Sequence, residues 1–207
     1  MNILPCSLVF ALAGRYSQWG MPLGEPFEGV LAAARSGTEW AIAALYREFQ
    51  PGLLRYLRAQ APADGDDLAS EVWLDAAAGL GRFEGDESGF RRWLFTIAQR
   101  RLVDLRRREA RRRSLLGSLE HSFASGSSDP VVEALAASEA EAALNLIAGL
   151  PPDQAEVVLL RVVGGLDTKD VAAIVGKKPG AVRVLQHRAL KRLAEQLAEE
   201  RRRSVTR

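Results

Sequence analysis

The chain has 207 residues, 47% of them hydrophobic and 26% charged, with a formal net charge of +2. This length allows one domain or two small ones, and the apolar content supports packed cores, which excludes a chain disordered throughout. The single cysteine, Cys6, excludes an internal disulfide or a cysteine-cluster metal site, and the two histidines, His121 and His187, lie too far apart in sequence to suggest zinc.

Charge is distributed in blocks. Basic residues number 6 against 12 acidic ones over residues 1–90, 10 against 2 over 91–113, none against 5 over 114–150, and 12 against 7 over 151–207. Two basic blocks separated by acidic ones predict two nucleic-acid surfaces divided by segments that do not bind nucleic acid. The alternative is a set of solvated helix faces.

At the N-terminus, the run Ile3 to Ala13 is apolar, but no Lys or Arg precedes it and it is too short to span a bilayer. Membrane insertion is not expected, and the setting is read as reducing and cytoplasmic. Residues 1–26 read as an arm, with Met21 as an alternative start.

From there the periodicity is helical throughout, predicting an all-α fold of two small helical domains joined by a flexible linker. Phe27 to Ala34 is followed by Thr38 to Arg58, which sets Ala41, Leu45, Phe49 and Leu53 at helical spacing, with Gly37 as the break and Pro51 as a site for a kink. Asp66 to Leu80 forms the next helix, capped by an acidic residue and ended by Gly79, Gly81 and Gly85. Asp66, Asp67, Glu71 and Asp75, beside Val72 and Trp73, make an acidic and apolar ridge suited to a protein partner; the bland alternative is a solvated acidic face.

A long helix from Ser88 to Arg112 then carries ten arginines between Arg91 and Arg113, opposed only by Asp104 and Glu109. At 100° per residue, Leu94, Ile97, Ala98, Leu102 and Leu105 share one arc, while Thr96, Gln99, Arg100, Val103 and Arg107 share the opposite one. Arg101 falls among the apolar neighbours and reads as a fold anchor, buried or snorkelling. Phe83, Phe90, Trp93 and Phe95 bracket the loop Gly85 to Gly89. Rings beside arginines suit stacked single-stranded bases, although most of these rings also fit a core.

Residues 114–130 are rich in Ser and Gly, lack any Lys or Arg and read as the linker. Helices are then predicted over Val131 to Ala148, Asp153 to Val163, Thr168 to Val175 and Pro179 to Glu199, with 201–207 as a basic tail. A short helix capped by Asp167, a turn at Gly176 and a longer basic helix form a helix-turn-helix. Val182, Leu185, Ala189, Leu193 and Leu197 face inward, leaving Lys178, Gly180, Arg183, Val184, His187, Arg188 and Lys191 as the candidate duplex reader. An ordinary helical hairpin with a basic face is the alternative.

These segments, in this order, resemble a bacterial RNA polymerase sigma factor of the extracytoplasmic-function (ECF) group. The resemblance rests on Asp66-Asp67-Leu68-Ala69-Ser70-Glu71-Val72-Trp73-Leu74, on Phe83 through Arg107, and on Gly149-Leu150-Pro151-Pro152 through Leu190. It implies that Asp66, Asp67, Ser70, Glu71, Trp73 and Asp75 bind core RNA polymerase. It also implies that Phe83, Asp86, Ser88, Phe90, Trp93, Thr96, Gln99, Arg100, Val103 and Arg107 meet melted minus-ten promoter DNA. Lys178, Gly180, Arg183, Val184, His187, Arg188 and Lys191 would meet the minus-thirty-five duplex. The domains would then be 27–113 and 131–200, and an anti-sigma factor is a further implied partner. Two positions depart from the family pattern: Ser70 stands where Gln is common, and Arg100 where Asn is common. The second implies an unusual minus-ten preference. No catalytic constellation or cofactor motif is evident. The residues also admit a stand-alone helix-turn-helix regulator whose N-terminal half dimerises or senses a ligand, or, more remotely, a nucleic-acid-processing enzyme.

Overall fold

The computed structural model describes residues 27–117 and 139–205, and among them every regular element is helical. In chain order they are α1 (Phe27–Arg35), α2 (Glu39–Gln60), α3 (Gly65–Leu80), α4 (Glu87–Gly117), α5 (Glu139–Ala148), α6 (Pro152–Val162), α7 (Thr168–Val175) and α8 (Pro179–Val205). The arm 1–26, residues 118–130 of the expected linker and the expected helical start at 131–138 lie outside the described residues.

The first four helices close around Leu45, Phe49, Leu53, Tyr56, Phe90, Phe95 and Leu102, all buried. The predicted apolar arc of α4 accounts for this: Leu94, Ile97, Ala98 and Leu102 are buried and Leu105 packs against them. Phe90 makes ring contacts with Phe27, Phe49, Phe83 and Trp93, at centroid distances of 4.9–5.8 Å. Pro51 sits within α2 without ending it.

Several boundaries differ from the sequence expectation. α3 begins at Gly65 after Asp64, whose side chain makes no capping hydrogen bond, so Asp66 and Asp67 occupy the first turn instead. There, negative charge complements the unpaired N–H groups of the helix start. Gly79 remains inside α3. α4 continues through Gly117, four residues into the expected linker, and α8 runs to Val205, into the expected tail. In each case the extension continues a helix already nucleated by packing, and elongation adds one hydrogen bond per residue.

The second group of helices closes around Ile147, Val157, Leu159, Leu160, Val171, Val182 and Ala189, which join the buried residues of the first group in one cluster. Asp167 caps α7 by accepting from the Asp170 N–H at 2.7 Å. That bond holds its carboxyl below the ordinary aspartate range. Gly176 ends α7 at φ 64°, in the left-handed region that the turn into α8 requires. The two groups touch: α5 and α6 pack on α2, and α7 packs on α4.

Candidate polymerase and nucleic-acid interfaces

The acidic ridge on α3 is real but partly neutralised from within. Arg58 forks onto Asp66 at 2.7 and 3.0 Å, lowering the Asp66 pKa through that hydrogen bond. Arg101, from α4, donates to both Asp75 oxygens at 2.5 and 2.7 Å and to Glu71 at 3.1 Å. Arg101 thus anchors the fold as expected, but through carboxylates on the neighbouring helix. The Ser70 hydroxyl donates to its own helix at the Asp66 carbonyl, and the Trp73 indole N–H donates to Gln50 at 2.7 Å. Asp67 is exposed and carries no ion pair among the described residues.

The sequence reading missed the apolar surface beside this ridge. Trp40, Ile42, Tyr46 and Leu74 are 45–71% exposed. A cavity of about 370 Å³ is lined by two of them, Ile42 and Tyr46, together with Ala34, Leu45, Trp73 and Leu80. The signal was present in the sequence, because Trp40 and Tyr46 fall off the apolar stripe that Ala41, Leu45 and Phe49 define on α2.

At the start of α4, Asp86 acts as a cap. Its carboxylate accepts the Gly89 N–H at 2.7 Å and the Ser88 hydroxyl at 3.1 Å, which lowers its pKa. Phe83 stacks on Trp93 at 5.1 Å, both half-buried, and Arg35 donates to the Phe83 carbonyl. One expected DNA residue is corrected here: Phe90 is 1% exposed and belongs to the core beneath the loop, where no base could reach it.

Farther along, the expected reading arc divides. Arg100 and Arg107 are exposed, with Asp104 3.7 Å from Arg107. Thr96, Gln99 and Val103 are half-buried; Thr96 donates to the Arg92 carbonyl, and Gln99 accepts the Tyr56 hydroxyl at 2.9 Å. By contrast, Lys178 in the turn before α8 and Gly180, Arg183, Val184, His187, Arg188 and Lys191 on it are all exposed, while Val182, Ala189 and Leu193 are buried, as the helical phase predicts. Val184 is an exposed apolar side chain between the exposed cations Arg183 and Arg188 in sequence, a combination whose chemistry suits a thymine methyl and guanine or phosphate acceptors.

Both halves match known families: residues 45–112 match Sigma-70 region 2 and residues 140–193 match Sigma-70, region 4. ECF RNA polymerase sigma factor SigD of Mycobacterium tuberculosis is 33% identical over 84% of this chain and 85% of its own length. The chain belongs to the ECF sigma factors. ShbA of Streptomyces griseus, another ECF sigma factor, is 35% identical over 75% of this chain and 86% of its own. Among solved structures, CnrH in complex with the cytosolic domain of CnrY has a TM-score of 0.55 at 22% identity, covering 82% of this chain and 96% of that one. RpoE from Bartonella quintana, in complex with the anti-sigma factor NepR, has a TM-score of 0.58 at 22% identity, covering 74% and 94%. The function follows: this sigma factor binds core RNA polymerase and directs promoter recognition and transcription initiation. The reading as a stand-alone regulator gives way, because the N-terminal half is the part that matches region 2.

Proposed function

We propose the following division of labour, with domains over 27–113 and 131–200. The polymerase surface centres on α3, through Asp66, Asp67, Ser70, Glu71, Trp73 and Asp75, and extends over the exposed Trp40, Ile42, Tyr46 and Leu74. An apolar patch beside an unpaired acidic residue supports this reading, since such patches mark protein interfaces. Phe83, Asp86, Ser88, Trp93, Thr96, Gln99, Arg100, Val103 and Arg107 take the melted minus-ten strand, with Phe90 supporting the rings from below. Opening DNA costs roughly 1.4 kcal/mol per base step, so capture of exposed bases, and not phosphate attraction alone, must hold the strand open. The α8 face grips the minus-thirty-five duplex.

The chain acts in the cytoplasm and contributes no chemistry of its own; nucleotide addition belongs to the polymerase. No described helix is long and apolar enough to cross a membrane. An anti-sigma factor is a further partner, as NepR is for the structurally similar RpoE.

The observation that carries this division is the exposed basic face of α8 on one helix and the acidic and apolar ridge of α3 on another. Added to sigma-free core polymerase, the purified chain is expected to start transcription at specific promoters. Asp67→Arg with Leu74→Asp should lower its affinity for core at least tenfold while leaving duplex binding by the isolated chain unchanged. Unchanged affinity for core would overturn the assignment of α3.

A further inference from the structure

Gly79 stands one residue before the end of α3, yet it does not serve the left-handed turn that commonly places glycine at a helix end, for its backbone is helical. What requires it is a side chain from α4. A Cβ at position 79 would stand 2.7 Å from Cζ2 and 3.3 Å from Cη2 of the Trp93 indole, so only glycine lets that ring lie directly on the α3 backbone. Trp93 has little room elsewhere. Phe90, buried against Phe27 and Phe49, has its ring centroid 5.6 Å away, and Phe83 stacks on the indole at 5.1 Å. The Phe83 ring in turn borders the loop before α4: a Cβ on Gly85 would stand 3.0 Å from its Cζ, and one on Gly89 3.8 Å. Gly79, Trp93, Phe83 and the Gly85–Gly89 loop therefore form one contiguous file.

A displacement at the head of this file has one soft direction. α3 is held one turn earlier, where Asp75 accepts both Arg101 donors and Ala76 is buried, and Phe90 is fixed in the core. A methyl group added at position 79 is therefore relieved by moving Trp93 toward the half-buried Phe83 and, through it, the loop, because close-packed neighbours transmit strain. Bases are held on ring faces by stacking, which fails when the ring is displaced. We infer that Gly79 is a positioning residue for base capture. By placing no side chain between α3 and Trp93, it seats the Trp93–Phe83 pair at the depth where an exposed minus-ten base is held. Gly79 acts only through these rings. The inference rests on assigning them to the melted minus-ten strand.

The test uses holoenzyme assembled from the full chain and core polymerase. Fluorescence anisotropy measures its affinity for a labelled single-stranded oligonucleotide that wild-type holoenzyme selects from a randomised pool. Gly79→Ala should weaken this binding at least fivefold, while affinity for core keeps its wild-type value. Trp93→Phe carries a shorter ring that lacks the atoms nearest Gly79, and so makes room for the methyl group. It should weaken strand binding through its own loss of stacking area, and adding Gly79→Ala should weaken it no further. Thermal unfolding gives a second reading. Alanine is the better helix former, so Gly79→Ala should raise the melting temperature of the Trp93→Phe chain by about 2 °C, whereas in the wild type it should not raise it. Equal weakening by Gly79→Ala in both backgrounds, or none in the wild type, overturns the positioning role. A fall in core affinity that accounts for the loss overturns it as well, since the effect would then belong to the polymerase surface. If Trp93→Ala leaves strand binding unchanged, it is the assignment of these rings to the strand that fails.

Discussion

The two basic helices of this sigma factor use their charge in opposite ways. α4 has ten arginines between Arg91 and Arg113, but Arg91, Arg92, Arg101, Arg106 and Arg107 have side-chain partners in Glu87, Asp170, Asp75 and Glu71, Gln60, and Asp104 respectively. α8 has fewer cations on its reading face, yet Arg183 and Arg188 carry no ion pair among the described residues, and Lys191 has only Glu195 at 4.0 Å. A count of charge thus overstates the DNA field of α4 and not that of α8. Arginine on α4 is shared between holding helices together and meeting nucleic acid, and its position relative to α2, α3 and α7 decides which.

The comparison is broken most severely on α8. Arg183→Ala with Arg188→Ala removes two exposed donors that carry no ion pair among the described residues. Duplex binding by the isolated chain should fall roughly 100-fold at moderate salt, with a shallower salt dependence, because fewer counterions are released. Thermal stability should hardly change. A loss of stability instead, with duplex affinity intact, would show that these cations serve the fold as those of α4 do.

A sharper version uses adjacent residues of α4. Arg101→Ala leaves Glu71 and Asp75 facing each other without their shared cation and should cost about 1 kcal/mol of stability, because the pair network is only half exposed. Its effect on promoter choice should be small. Arg100→Ala should leave the melting temperature alone and change, by about tenfold, which minus-ten sequence the holoenzyme prefers. Transcription from a library of minus-ten variants, beside thermal unfolding of each protein, separates the two. If both substitutions shift promoter choice equally, the division between structural and reading arginines on α4 does not hold.

Helical phase made most of this legible in advance. The buried and exposed residues of α8, the Asp167 cap and the Gly176 turn all follow from spacing and turn chemistry within a single helix-turn-helix. The position of Arg101 inside the apolar arc also marked it as structural. What spacing could not supply was contact between distant segments. Nothing local marks Glu156 or Asp170 as partners of Gln99 and Arg92, since 57 and 78 residues separate them in sequence. Phe90 was misplaced for a related reason: ring-and-arginine neighbourhoods look alike whether the ring faces a base or, as here, Phe49. The cavity beside Trp73 likewise needs four helices to exist.

The smallest expected effect concerns Glu156, where α6 docks on α2, and there the sign is the informative part. Burial raises its pKa, and the opposing influence of Arg106, Gln99 and Lys177 does not cancel that; Asp153 on the same helix adds to the rise, and the buried Tyr56 faces the same cluster. A carboxyl raised in the docked state is favoured there in its protonated form. Its contribution to docking is therefore fully present below the ordinary glutamate range and is lost as pH rises through the raised value. Docking should strengthen as pH falls across that window, whereas Glu156→Gln, which imitates the protonated side chain, should hold the docked form at every pH. The expected shift is about 1–2 °C in melting temperature, comparing wild type with Glu156→Gln between about pH 5 and pH 8. The variant should be the more stable protein at the upper end and nearly equal at the lower. A wild type that gains on the variant as pH rises would mean that the charged carboxylate stabilises docking, so that Arg106 outweighs burial and the contact is an ordinary ion pair.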